Sequence, residues 1–138
     1  TLENKGEFKL GKAQVLAQGN DVAIIACGIM VAEALAAATS LAAKGVKARV
    51  INMHTIRPLD KDAVLDAART TRGLVVCEEH STAGGLGAAV DEVVSGAHPV
   101  RVIRIGIKGR FGQSGDPLEL MKEYSITASD IEKAALSL

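Results

Sequence analysis

The stretch Asp21–Met53, DVAIIACGIMVAEALAAATSLAAKGVKARVINM, holds two apolar runs separated by a helical pattern, and its reading decides the fold. Asp21–Cys27 is a near-continuous run of Val, Ile and Ala, the pattern of a strand buried on both faces. Met30–Lys44 sets Val31, Ala34, Leu35, Ala38, Leu41 and Ala42 along one helical stripe, and Gly45 stops it. Lys47–Met53 is the next strand. Strand, helix and strand in this order make a parallel pair joined by a right-handed crossover.

The alternation continues on both sides of this unit. Ala13–Gln18 is a weakly strand-like run that ends at the turn signal Gly19-Asn20. Downstream, Pro58 and Asp60 start a helix with Asp60 as its N-cap, and the helix runs to about Thr71. Gly73 breaks it, and Leu74–Glu78 is a strand. Gly84-Gly85-Leu86-Gly87 opens a helix whose inner face is Leu86, Val90, Val93 and Val94, and Val100–Ile107 is the last strand. After a glycine-rich loop come two short helices, near Pro117–Tyr124 and Ala128–Leu138. Thr127 and Asp130 have the spacing of a capping box, with Ile131, Ala134 and Leu138 on the inner stripe. The pattern predicts a three-layer α/β/α sandwich. In such sheets chemistry gathers at the carboxyl ends of the strands, here Cys27-Gly28, His54-Thr55, Glu78-Glu79-His80 and Gly106-Ile107.

Composition agrees and narrows the classes of function. The 138 residues suit one domain, and 48% of them are hydrophobic. Only Phe8, Phe111 and Tyr124 are aromatic, so the core must be built from Val, Ile, Leu and Ala. Sixteen Lys and Arg balance sixteen Asp and Glu, which argues against a nucleic acid or an anionic membrane as partner. The apolar runs are too short to span a membrane. Thr1–Leu10 is charged and unlike a signal peptide. Cys27 and Cys77 form neither a disulfide framework nor a closely spaced metal pair, so a reducing, cytoplasmic setting is expected. Residues 1–12 read as a linker from a preceding domain and 13–138 as the domain itself.

The richest candidate chemistry lies in Glu78-Glu79-His80-Ser81-Thr82-Ala83-Gly84-Gly85-Leu86-Gly87. Two carboxylates and an imidazole precede glycines that open a helix, where free amides can hold an anion. The glycines match neither a G-x-G-x-x-G fingerprint nor a phosphate loop, so tight turning and close helix–sheet packing is the plainer reading. Glu78 or Glu79 could serve as a general acid or base, and His80 as a proton shuttle or as an ordinary loop histidine. His54 and His98 are scattered and make no zinc spacing. Cys27 and Cys77 read as small buried thiols, with a redox pair as the sharper alternative. The loop Lys108–Pro117 carries Arg110 and Phe111, which suit either a partner contact or simple routing of the chain. The contact candidates are therefore Glu79, His80, Gly84, Gly85, Gly87, Arg110 and Phe111.

Four segments, taken in order, resemble the last domain of the transketolase-like family. They are Gly11-Lys12-Ala13 with Gly19-Asn20-Asp21-Val22, then Met53-His54-Thr55-Ile56-Arg57-Pro58-Leu59-Asp60. Next come Glu78-Glu79-His80 with Gly84-Gly85-Leu86-Gly87, and finally Phe111-Gly112-Gln113-Ser114-Gly115 with Leu118-Glu119-Leu120 and Tyr124. The resemblance implies a five-stranded mixed sheet whose first strand is antiparallel at an edge, with the Cys27 and Cys77 strands as neighbours. It implies a thiamine-diphosphate- and Mg²⁺-dependent enzyme that moves a two-carbon ketol unit between sugar phosphates. In that family an amino-terminal domain holds the diphosphate and metal, and a middle domain binds the pyrimidine ring. The resemblance therefore assigns this chain no catalytic, cofactor-binding or metal-binding residue. Its expected role is structural, subunit-organising or regulatory, beside those two domains and within a homo-oligomer.

The same domain of a 2-oxoacid dehydrogenase E1 beta chain or a deoxyxylulose-phosphate synthase is the near alternative, and the Phe111–Gly115 loop favours transketolase. A stand-alone regulatory module is the distant one, because a phospho-receiver's acidic cluster is missing after the strand ending at Cys27. Two departures stand out. Ser125 replaces a glycine common in the family, which implies an ordinary backbone there. Lys108-Gly109-Arg110 occupies a loop that is often acidic.

Overall fold

The computed structural model describes residues 7–108 and 114–138. Its strands are β1 (Gln14–Ala17), β2 (Val22–Ala26), β3 (Ala48–Asn52), β4 (Gly73–Ser81) and β5 (Arg101–Ile107). Its helices are α1 (Met30–Ala43), α2 (Lys61–Thr70), α3 (Gly85–Ala97), α4 (Pro117–Glu123) and α5 (Ala128–Leu136). The sheet order is β1-β3-β2-β4-β5. β1 pairs antiparallel with β3 at one edge, and the other pairings are parallel.

Side-chain alternation divides the core into two layers. Val22, Ile24 and Ala26 of β2 face α1 and α5, along with Val50, Val75 and Cys77. Ala23 and Ile25 face α2 and α3, along with Ile51, Leu74 and Val76. Every residue of β2 is buried because helices cover both faces, which is why its sequence is apolar without a break. At about 25 cal/mol per Å², such side chains dominate the stabilisation of the sheet.

Local signals place the helix ends. Asp60 caps α2, its carboxylate accepting from the Ala63 N–H at 3.2 Å. Gly45, at φ 79°, ends the α1 segment. The Thr127–Asp130 capping box forms, with the Thr127 N–H donating to the Asp130 carboxylate at 3.0 Å. Asp116 caps α4 through the Leu118 and Glu119 amides.

Two expectations from sequence are corrected. Ser125 has φ 54°, a left-handed conformation that ordinarily favours glycine. It closes α4 in a Schellman pattern, with the Ile126 N–H donating to Met121 O at 3.0 Å. A serine thus carries a conformation that glycine adopts without steric cost. β4 also runs past Glu78 to Ser81, so His80 lies in a strand and not in a loop. The extension is polar and exposed at Glu79 and His80, and it leaves no apolar alternation to read. Backbone pairing holds it instead: Ser81 resumes register with Ile107 after an irregularity, and the Thr82 N–H donates to Ile107 O at 3.0 Å.

Candidate functional site

The parallel strands bring their carboxyl ends together around a hollow of about 280 Å³. Cys27, Gly28 and Ile29 line it from the end of β2, Ile56 from the turn after β3, Glu78, Glu79 and His80 from β4, and Gly85 from the start of α3. Of the sequence candidates, Glu79, His80 and Gly85 therefore meet here. Gly84 and Gly85 also line a neighbouring groove against α2, while Gly87 is turned inward onto the sheet. Arg110 and Phe111 lie outside the described residues.

Glu78 organises this corner. It is 3% exposed, and its two carboxylate oxygens accept the Leu86 N–H at 2.8 Å and the Gly87 N–H at 3.1 Å. Gly84 precedes α3 and has no side chain with which to cap it, so the preceding strand supplies the cap. The negative carboxylate also suits the positive end of the helix dipole. The glycines fit the packing reading. Gly85 sits at φ 63°, and a Cβ there would come within 2.4 Å of Glu78 Oε2. A Cβ on Gly87 would stand 2.8 Å from Arg104 Cδ. Arg104 in turn donates to Thr82 O at 2.6 Å and pairs with Asp91, clamping the turn between β4 and α3.

The anion expected at this helix start is therefore one the chain supplies itself. A diphosphate would have to displace Glu78 from the Leu86 and Gly87 amides, so these residues do not fit the diphosphate of thiamine diphosphate. Among the described residues, no three His, Cys, Asp or Glu side chains are grouped to hold a metal ion. Nor is any described helix long and apolar enough to cross a membrane.

The two thiols are neighbours of a kind that excludes pairing. The Cys27 N–H donates to Cys77 O at 3.4 Å, but Cys77 points into the α1–α5 layer while Cys27 packs toward α2 and α3. Opposite faces of one sheet cannot bring their sulfurs together. Burial raises both thiols above the usual range, with Glu78 adding to the shift of each. Neither has the lowered pKa of a reactive cysteine.

Two further polar ties escaped the sequence reading. Asp60 is 8% exposed, and besides capping α2 it accepts the Ala13 N–H at 2.9 Å, fastening the chain just before β1. Glu33 of α1 accepts the Ala128 N–H at 2.7 Å and so helps cap α5 from 95 residues away. The visible clue for Glu78 is a helix opening on glycines with an acid at the preceding strand end. Asp60 and Glu33 left no comparable clue, since their second partners are distant in sequence. His54, at the end of β3, lies under Phe8 with ring centroids 4.4 Å apart, and its Nδ1 contacts Thr55 Oγ1 at 2.8 Å.

Sheet order, the antiparallel edge strand and helices on both faces define a three-layer α/β/α domain. The chain belongs to the transketolase C-terminal domain family, whose sequence model matches residues 11–131. It is 46% identical over 129 residues to a 6-deoxy-6-sulfo-D-fructose transketolase subunit of Clostridium sp. (strain MSTE9), covering 94% of this chain and 40% of that protein. It is 44% identical to 1-deoxy-D-xylulose-5-phosphate synthase 1 of Geobacter sulfurreducens, covering 93% of this chain and 20% of that one. Among solved structures, a split gene transketolase described as an inactive beta4 tetramer matches with TM-score 0.93 and 41% identity. That match covers 99% of this chain and 45% of its counterpart. The chain thus spans less than half the length of these relatives.

Proposed function

We propose that this chain serves as the carboxy-terminal part of a transketolase-like enzyme that transfers a two-carbon ketol unit between sugar phosphates. In this reading thiamine diphosphate and Mg²⁺ are held by diphosphate- and pyrimidine-binding domains, and residues 13–138 brace them after a linker at 1–12. The assembly is a homo-oligomer working in the cytoplasm, in pentose phosphate metabolism. The carrying observation is the match, over 99% of this chain, to a split gene transketolase. Glu78 supports the division of labour, because it already fills the amide cradle at the start of α3.

Glu79, His80 and Ile29 then form an edge offered to the rest of the enzyme, with Arg110 and Phe111 as further contacts. Ile29 supports this role, being an apolar side chain 51% exposed on the rim. Calorimetric titration of the chain with thiamine diphosphate and Mg²⁺ should show no binding, and two-carbon transfer should appear only with the cofactor-binding domains present. Tight cofactor binding by this chain alone would overturn the proposal. The 44% identity to a synthase gives a second reading, which formation of 1-deoxy-D-xylulose 5-phosphate by the complete enzyme would establish in place of the first.

A further inference from the structure

We propose that residues 7–12 form a hinged strap that closes over His54, so that the strand-end rim presents either an apolar ring or a free imidazole. Phe8 lies on His54 with ring centroids 4.4 Å apart and planes tilted by 39°. Phe8 is itself 60% exposed, so its ring covers the histidine while remaining largely in water. Under this cover His54 Nε2 is shut off from solvent and has no hydrogen-bond partner among the described residues. Its Nδ1 stands 2.8 Å from Thr55 Oγ1. A sealed, unpaired polar atom weakens the closed state, because water satisfies the same atom once the strap lifts.

The strap is fastened firmly at one end and lightly at the other. The Ala13 N–H donates to the Asp60 carboxylate at 2.9 Å, and Asp60 is buried. Ahead of that point the ties are long or wet. The Gly11 N–H reaches Thr55 Oγ1 at 3.4 Å, and Lys12 Nζ stands 3.8 Å from the carboxylates of Asp60 and Asp62. Ion pairs of an exposed lysine at such a distance hold little. The Lys12 N–H donates to Lys9 O at 3.0 Å, which makes Lys9–Lys12 a compact turn able to move as one piece. Gly11, at φ 75°, lets this turn lie down, since a Cβ there would stand 3.2 Å from Pro58 Cγ. The hinge falls between Lys12 and Ala13.

Position gives the motion a consequence. The Met53 N–H donates to Ala26 O at 2.8 Å, which sets His54 at the rim level with Cys27. Closed, this part of the rim offers Phe8. Open, it adds a hydrogen-bonding imidazole to the rim that carries Glu79 and His80. The strap is a property of this chain alone and stands apart from the two-carbon transfer proposed above.

Carbethoxylation of the whole chain with diethyl pyrocarbonate at neutral pH, followed histidine by histidine by mass spectrometry, reads the cover. His80 and His98 are exposed and serve as internal references. His54 should react about tenfold more slowly than either, and Phe8→Ala should raise its rate about tenfold with circular dichroism unchanged. Hydrogen exchange reads the hinge: the Lys12 amide should exchange about tenfold faster than the Ala13 amide, or more. A parent His54 as reactive as His80 would overturn the proposal, as would a His54 rate that Phe8→Ala leaves unchanged. Protection at Lys12 equal to that at Ala13 would make the segment a fixed part of the domain and overturn it as well.

Discussion

The helices α2 and α3 lie side by side on one layer, and each begins on a buried carboxylate, but the two carboxylates arrive by different routes. Asp60 caps α2 from the residue before it and reaches across to the Ala13 amide. Glu78 caps α3 from the preceding strand, eight residues before the first amide it accepts. In the first case the cap is local and its long-range tie is added. In the second the cap itself is the long-range tie, and it works only because Gly85 leaves the carboxylate room. The difference teaches that the α3 corner is the more brittle one, since its cap, its turn and its packing share the same few atoms.

The largest expected effect comes from breaking that corner. Gly85→Ala should cost about 3 kcal/mol, combining strain at a positive φ with displacement of the Glu78 carboxylate from two amides. Urea unfolding should show the loss, and a variant as stable as the parent would mean that Glu78 does not depend on that space. Asp60→Ala should cost about 2 kcal/mol, since it removes a cap and leaves the partly buried Ala13 amide unpaired. Hydrogen exchange should then quicken at Ala13 and in the first turn of α2 but not in α3, whereas Gly85→Ala should do the reverse. Equal quickening in both helices would dissolve the contrast.

The smallest effect concerns a tie on the other layer. The hydrogen bond from Lys44, and secondarily one from Ser40, lowers the Glu132 carboxyl below its ordinary value. A carboxyl lowered on folding contributes stability that is complete above its unfolded pKa and lost as pH falls through the folded one. Thermal unfolding followed from neutral to acid pH should therefore show a smaller acid loss in Lys44→Gln than in the parent. Parallel curves would remove Lys44 as the cause. Exposure of the Lys44 side chain keeps the effect small.

Local interactions were legible in the sequence and distant ones were not. DVAIIAC announces a strand buried on both faces, and Asp60 and the Thr127–Asp130 box announce helix starts, because each signal lies within a few residues. The antiparallel course of β1 came from the family resemblance, since its four residues carry too little periodicity to give a direction. The adjacency of the Cys27 and Cys77 strands was expected correctly. Their opposite faces depend on a one-residue register that periodicity does not fix. Ser125 misled because a backbone pattern of hydrogen bonds, not a side-chain preference, sets its conformation. At the site, the glycine turn was readable, while Glu78 as its filler depends on where a strand stops relative to a helix.

The reversed direction of β1 also governs how the chain is tethered. Gln14, the first residue of β1, lies beside Asn52, the last residue of β3. The segment leading into β1 therefore arrives at the rim where the parallel strands finish, and the Gly11 N–H contacts Thr55 Oγ1 there at 3.4 Å. A parallel first strand would have delivered it to the opposite rim, about 15 Å away across the sheet. Any polypeptide joined ahead of Gln14 is thus leashed at the rim bearing Cys27, Glu79 and His80, and its search for that surface is confined before a single contact forms.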